Sequence, residues 1–194
     1  SDRVGFLDSL IGRTRLPPSN EDRVFAMSTA VVTLEAAGGL STVGKVGIVF
    51  KALPPGRFDQ LNRDTVATLQ IQDQTAPSDQ LKVEEVRDEL GFEWLVIQGA
   101  DFQALLAALH GVAQGLTDEG LDSCLLAAVF PFLQEQRKVY WIYGYKQGTF
   151  YPFVPSGDHQ RDNAEELRLS GVAKAELPVE PNLGSWFPLW GVPL

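Results

Sequence analysis

Residues 124–154 read CLLAAVFPFLQEQRKVYWIYGYKQGTFYPFV. Three apolar and aromatic runs, at about 124–134, 138–146 and 149–154, are separated only by short polar breaks, the last of them Lys146-Gln147-Gly148. Runs of this composition read as strands, and connections this short join antiparallel neighbours. Successive side chains of a strand point to opposite faces. Tyr140 and Ile142 therefore share one face, while Trp141, Tyr143 and Tyr145 share the other. One of these faces must pack on helices.

The same reading extends upstream. Leu81–Arg87 and Phe92–Gln98 flank Asp88-Glu89-Leu90-Gly91, which is hairpin spacing. Lys45–Lys51 is β-branched and apolar, as a buried strand requires. Val24, Met27, Val31 and Leu34 recur at helical steps between a capping Ser19 or Asn20 and the stop at Gly38-Gly39. Phe58, Leu61, Thr65 and Leu69 line a second helix after Pro54-Pro55-Gly56, and polar Gln70–Gln80 reads as a loop. Asp101 caps a third helix with Phe102, Leu105, Leu106, Leu109, Val112 and Leu116 on one face, ended by Gly120. Arg161–Leu169 reads as a short fourth. Strands joined by turns rather than by regular helical crossovers predict an α+β fold, a mostly antiparallel sheet packed with helices. No residue-level repeat links the two halves.

The domain organisation follows from punctuation. Residues 1–16 form an amphipathic appendage, with Phe6, Leu7, Leu10 and Ile11 on one helical face and Arg3, Arg13 and Arg15 around it. Pro17-Pro18 makes a stiff link. Residues 19–176 form the α+β domain. Residues 177–194 form an aromatic, Pro-rich tail that packs back on the domain, because Trp186, Phe187 and Trp190 are too apolar to dangle; the alternative is an exposed docking motif.

The chain has 194 residues, 44% hydrophobic and 21% charged, with a formal charge of −9. That length hides roughly 70% of the unfolded surface on folding. The 16 Lys and Arg residues are scattered, which argues against nucleic acid as a partner. A single cysteine, Cys124, excludes an internal disulfide and fits a reducing, cytoplasmic setting. The early apolar run is too short for a secretory signal. The longest, Cys124 to Leu133, is too short for a membrane-spanning helix and holds Pro131.

Chemistry-bearing motifs are missing. No dinucleotide fingerprint, phosphate-binding loop or nucleophile elbow is present. His110 reads as a boundary residue of its helix. His159, with Asp158 and Asp162, makes an incomplete metal set and reads better as a polar turn before a helix. Cys124 has no activating neighbour. No catalytic residue, metal site or cofactor is expected.

Three features remain as candidate binding elements. The first is the N-terminal face of Phe6, Leu7, Leu10 and Ile11, which can pack on its own domain, on a partner protein or in a membrane interface. The second is the aromatic hairpin, where Trp141, Tyr143, Tyr145, Phe150 and Tyr151 form either a core packed on both sides or a partner or ligand surface. The third is Arg161, Asp162 and Asn163 with Trp186 and Trp190 of the tail. Those polar groups would line a small-molecule pocket between hairpin and tail, or serve structure alone, with Arg161 clamping Glu180 or another acid near the tail.

Several of these segments occur together in one family. Gly5-Phe6-Leu7-Asp8-Ser9-Leu10, Ala30-Val31-Val32-Thr33-Leu34-Glu35, Gly148-Thr149-Phe150-Tyr151-Pro152-Phe153, Arg161-Asp162-Asn163, Leu177-Pro178-Val179-Glu180-Pro181 and Trp186-Phe187-Pro188 stand in order along the chain. In these segments the chain resembles PspAB, the bacterial family associated with phage-shock protein A (PspA). Residues 40–90 carry little of the likeness. The resemblance implies an accessory protein-interaction role in membrane and envelope stress. Its implied partner is a PspA-like protein or a membrane-embedded zinc protease, with contact at the inner membrane face. The rhythm of helices and short strands is also similar to type III secretion-chaperone-like folds, which implies partner binding and a possible homodimer. The family offers no catalytic residues to carry over. The small-molecule-binding protein or enzyme stays open as the rival reading.

Overall fold

The computed structural model describes residues 20, 22–72 and 81–194, with side chains omitted for 68–72. The amphipathic segment carrying Phe6, Leu7, Leu10 and Ile11 lies outside these residues, as does the part of the expected loop from 73 to 80.

Four helices and a mostly antiparallel seven-stranded sheet make up the described chain, the α+β class read from the sequence. A 3-10 turn, Arg23–Ala26, leads into α1, Met27–Ala36. β1 (Ser41–Thr42) and β2 (Lys45–Phe50) follow. α2 spans Arg57–Gln72, so the second helix runs into the stretch expected as loop from Gln70. β3 (Lys82–Arg87) and β4 (Glu93–Gln98) form the hairpin, and α3 is Phe102–Asp118. β5 (Leu125–Gln134), β6 (Arg137–Gly144) and β7 (Thr149–Phe153) are the decisive meander. β8 (Pro155–Gly157) and β9 (Gln160–Arg161) make a small hairpin before α4, Asn163–Ala173.

The sheet order is β3-β4-β2-β5-β6-β7, with β1 also paired to β5. β1 and β2 share one edge of β5, since Thr42 lies opposite Phe132 and Gly47 opposite Val129. Pro131 falls in the gap between these two pairings, so its missing N–H interrupts no ladder there. Pro152 is accommodated similarly. Phe150 bonds outward, its N–H to Pro178 O and its carbonyl to Glu180 N, both 2.8 Å. Two residues on, the Pro152 nitrogen faces the same outer edge, where no strand needs a donor.

The sheet is covered on both faces. Leu105, Leu106, Leu109, Val112 and Leu116 of α3 pack with Met27, Val31 and Leu34 of α1 against Ile48, Leu95, Ala128, Phe130, Trp141 and Tyr143. At the start of α3, the Asp101 carboxylate accepts from Gln103 N at 3.0 Å, the capping role its position predicts. On the other face, Val49, Trp94, Val96, Val129, Tyr140, Ile142, Tyr151 and Phe153 pack with Trp186 and Leu194 of the tail. At about 1.5–3 kcal/mol for each fully buried large side chain, both layers matter to stability.

Asn20 does not act as the simple cap expected of it. Its side chain reaches across the fold to donate to Tyr145 O (3.3 Å) and Lys146 O (3.4 Å), and the Tyr143 hydroxyl donates to its carbonyl. Gly148 makes this possible. Its φ is +68°, and a Cβ there would lie 2.7 Å from Asn20 Oδ1.

Candidate functional site

The polar residues picked out at 161–163 lie where β9 enters α4, beneath the tail. Asp162 is the N-cap of α4, with its carboxylate accepting from Glu165 N at 3.0 Å. Its other oxygen accepts from Arg137 Nη1 at 2.8 Å. The Glu165 amide and the Arg137 guanidinium together hold the Asp162 carboxyl below its ordinary range. Asn163 opens the helix and is exposed.

Arg161 points inward. Its Nε lies 2.9 Å from each carboxylate oxygen of Glu166. Glu166 is 1% exposed, and one of its oxygens also accepts from Val154 N at 2.9 Å. Burial raises the Glu166 pKa, and its hydrogen bonds from Val154 and Arg161 oppose the rise only in part. Arg161 Nη1 donates to Trp186 O at 2.6 Å, and the guanidinium carbon sits 5.2 Å from the centre of the Phe153 ring. Arg161 thus joins a buried acid of α4 to the tail. The acid it clamps is Glu166, not Glu180. Glu180 instead accepts from Thr149 Oγ1 at 2.8 Å and from Asn182 N at 3.0 Å.

A second charged group surrounds the start of α4. Gln134 Nε2 donates to Glu165 at 2.7 Å, and Arg137 Nη2 donates to Gln134 Oε1 at 2.5 Å. Arg168 pairs with Glu165 through two nitrogens and gives Gly38 O a bond of 2.8 Å at the end of α1. Arg168 and Gln134 hold the Glu165 carboxyl below its usual range, Arg168 contributing most. Sequence reading missed Glu166, Glu165, Arg137 and Arg168. The acidic pair just after the capping Asp162 was the available signal, since acids favour a helix N-terminus.

The aromatic residues are brought together as packing. Trp141, Tyr143, Tyr145 and Phe150 are fully buried on the helix side of the sheet. The Tyr143 ring lies 5.1 Å from Tyr145 and 4.6 Å from Phe150. Tyr151 faces the tail, where it stacks on Trp186 at 6.4 Å and donates to Phe187 O at 2.9 Å. Trp190 meets Phe153 edge-on at 5.0 Å. Burial raises the Tyr151 pKa above the ordinary tyrosine value, with Arg161 nearby opposing the shift.

Among the described residues, clefts open on the surface at two places of note. One of about 720 Å³ is lined by Ala36–Gly39, Gln134–Arg137 and Arg168. Another of about 420 Å³ runs along Ala52–Gly56, Phe58, Asp59, Arg87, Gly91 and Glu93. Neither touches the hairpin aromatics, the 161–163 residues or the tail, where the small-molecule reading would place its pocket. Both guanidinium groups of the larger cleft are already engaged by neighbours. Among the described residues, no group of three or more His, Cys, Asp or Glu side chains is placed to hold a metal ion. His110 packs its ring 4.7 Å from Phe25, and His159 sits in the β8–β9 turn with its ring 5.2 Å from Trp190. Among the described residues no helix is long and apolar enough to cross a membrane.

A family model described as PspA associated protein B matches residues 4–194. No curated protein and no solved structure matches the chain. The chain therefore belongs to the PspA associated protein B family, the one its sequence resembles.

Proposed function

We propose, from that membership, that the chain is an accessory protein-interaction module of the bacterial membrane and envelope stress response, with a PspA-like protein as its partner. The observation that carries this reading is the match of residues 4–194 to a family whose description names association with PspA. The chemistry around Arg161 supports it. Asp162 caps α4, Glu165 pairs with Arg168, and Arg161 ties Glu166 to the tail, so each of these side chains has a structural partner.

The docking elements proposed are the N-terminal face of Phe6, Leu7, Leu10 and Ile11 and the surface of the tail. A short amphipathic segment suits a partner groove, because it gains order and burial together on binding. A membrane-embedded protease as second partner, a cytoplasmic site at the inner membrane face, a chaperone-like mode and a homodimer are the finer parts of the same proposal.

Affinity capture from the native host tests it, with the full chain as bait beside the same chain carrying Phe6→Ser and Leu10→Ser. A PspA-like protein recovered with the first bait and depleted with the second is expected. Equal recovery with both baits would remove the N-terminal face from the account. Absence of any PspA-like protein from both would remove the partner.

A further inference from the structure

The two outer edges of the sheet differ. At β7, the outward groups of Phe150 are taken by Pro178 O and Glu180 N, and Pro152 has no donor to offer there. β3 ends the sheet on the other side. Its register with β4 runs unbroken from Lys82 to Arg87, with no proline and no bulge. An edge left in this form is a template for another strand.

The backbone shows which groups are available. Asp88 N donates to Phe92 O at 3.0 Å, in line with the β3–β4 register. Bonded pairs alternate along an antiparallel ladder, so Val86, Glu84 and Lys82 bond to β4. Val83, Glu85 and Arg87 turn their N–H and C=O groups outward, and among the described residues no other strand pairs with them.

The side chains indicate what fits beside them. Val83 packs against the helix-side core and Val86 against the tail-side core, and both are only half-buried. Glu84 and Glu85 between them are exposed, as are Lys82 and Arg87 at the ends. Arg87 gives one nitrogen to Glu93 at 2.6 Å, yet its side chain stays 68% exposed. The strand reads basic, apolar, acidic, acidic, apolar, basic, the same from either end. A second copy of β3 is a poor occupant. Outward residues must pair with outward residues, so the two-fold register that overlaps most of the strand sets Glu85 opposite its own counterpart, and like charges directly opposite are destabilising. A strand of the complementary pattern meets each charge with its opposite and covers Val83 and Val86.

We propose that β3 accepts an extended segment of a partner protein as an added strand, one with two adjacent basic residues facing Glu84 and Glu85, apolar residues beside them and acids outermost. Main-chain bonds to Val83, Glu85 and Arg87 provide the attachment, and the charges select the sequence. This goes beyond the accessory role and does not depend on the partner being PspA-like.

The test uses the full chain and a blocked, fluorescent peptide of sequence Glu-Val-Lys-Lys-Val-Glu. In the free chain, amides of Val83, Glu85 and Arg87 should exchange quickly with solvent while those of Glu84 and Val86 are protected. The peptide should bind saturably and slow exchange at Val83, Glu85 and Arg87. A control peptide, Glu-Val-Glu-Glu-Val-Glu, should bind about tenfold more weakly, since its central pairs turn from attraction to repulsion. In the chain carrying Glu84→Lys and Glu85→Lys the preference should reverse, although that chain stays acidic overall. No saturable binding of the first peptide to the folded chain, equal affinity for both peptides, or exchange slowed only at other residues overturns the proposal. So does slow exchange at Val83, Glu85 and Arg87 before any peptide is added, because the edge would then already be covered.

Discussion

Arg161 Nε lies 2.9 Å from both carboxylate oxygens of Glu166, and the same guanidinium holds Trp186 O at 2.6 Å. Helix α4 and the tail are thereby joined through one side chain. Removing one partner of a buried pair leaves the other charged in an apolar setting, which costs about 3–5 kcal/mol. Arg161→Ala should lower the urea midpoint accordingly, while Arg161→Lys should recover only part of the loss because it cannot reproduce the fork. A change of less than about 0.5 kcal/mol, the range of ordinary surface substitutions, would show that the pair does not hold the tail.

Asp162 caps α4 and pairs with Arg137, and two substitutions separate these roles. Asp162→Ala loses both and should cost about 1–2 kcal/mol. Asp162→Asn keeps a good cap and loses the ion pair, so it should cost less. The folded-state pKa of Asp162 is depressed, so its contribution is complete above the ordinary aspartate range and is lost as pH falls through the folded value. The gap between wild type and Asp162→Asn should therefore close as pH is lowered through that region. A gap that stays constant with pH would contradict the assigned charge role.

Glu166 has the opposite sign. Burial raises its folded-state pKa, so protonation favours the folded form. That contribution is fully present below the ordinary glutamate range and fades as pH rises through the raised value. Glu166→Gln removes the titration but leaves Arg161 without its carboxylate. Its stability relative to wild type should therefore be worst at low pH and improve as pH rises through the raised value, where wild type loses the contribution of protonated Glu166. Thermal midpoints across pH 3 to 8, on the order of the usual carboxylate range and above, read this directly.

Gly148 and Gly39 test the Asn20 contact. Both have positive φ, +68° and +70°, but only Gly148 faces a close neighbour, Asn20 Oδ1 at 2.7 Å from an added Cβ. Gly39→Ala should cost about 1 kcal/mol for the backbone alone. Gly148→Ala should cost clearly more. Equal costs would mean that Asn20 gives way freely.

Much of the fold was legible because it follows from periodicity. The alternation in 138–146 correctly separated Trp141, Tyr143 and Tyr145 from Tyr140 and Ile142. It could not say which face meets the helices, since both faces are apolar. The ring-rich face lies against α1 and α3, and the other lies under the tail. Ser41–Thr42 and the β8–β9 hairpin escaped because two or three residues carry no period. Helix α2 outran its expected end because polar Gln70 and Gln72 still favour helix. At the site, Asp162 as a cap was readable from its position. The pairing of Arg161 with Glu166 was not, because it crosses from a strand end into a helix and depends on burial that no local pattern reports.

The measurement that bears most directly on the central claim is calorimetric titration of the purified full chain with a purified PspA-like protein. Saturable binding, weakened in the chain carrying Phe6→Ser and Leu10→Ser while its thermal midpoint is unchanged, is the predicted result. No heat and no complex with the intact chain, under conditions where both proteins are folded, would contradict the account.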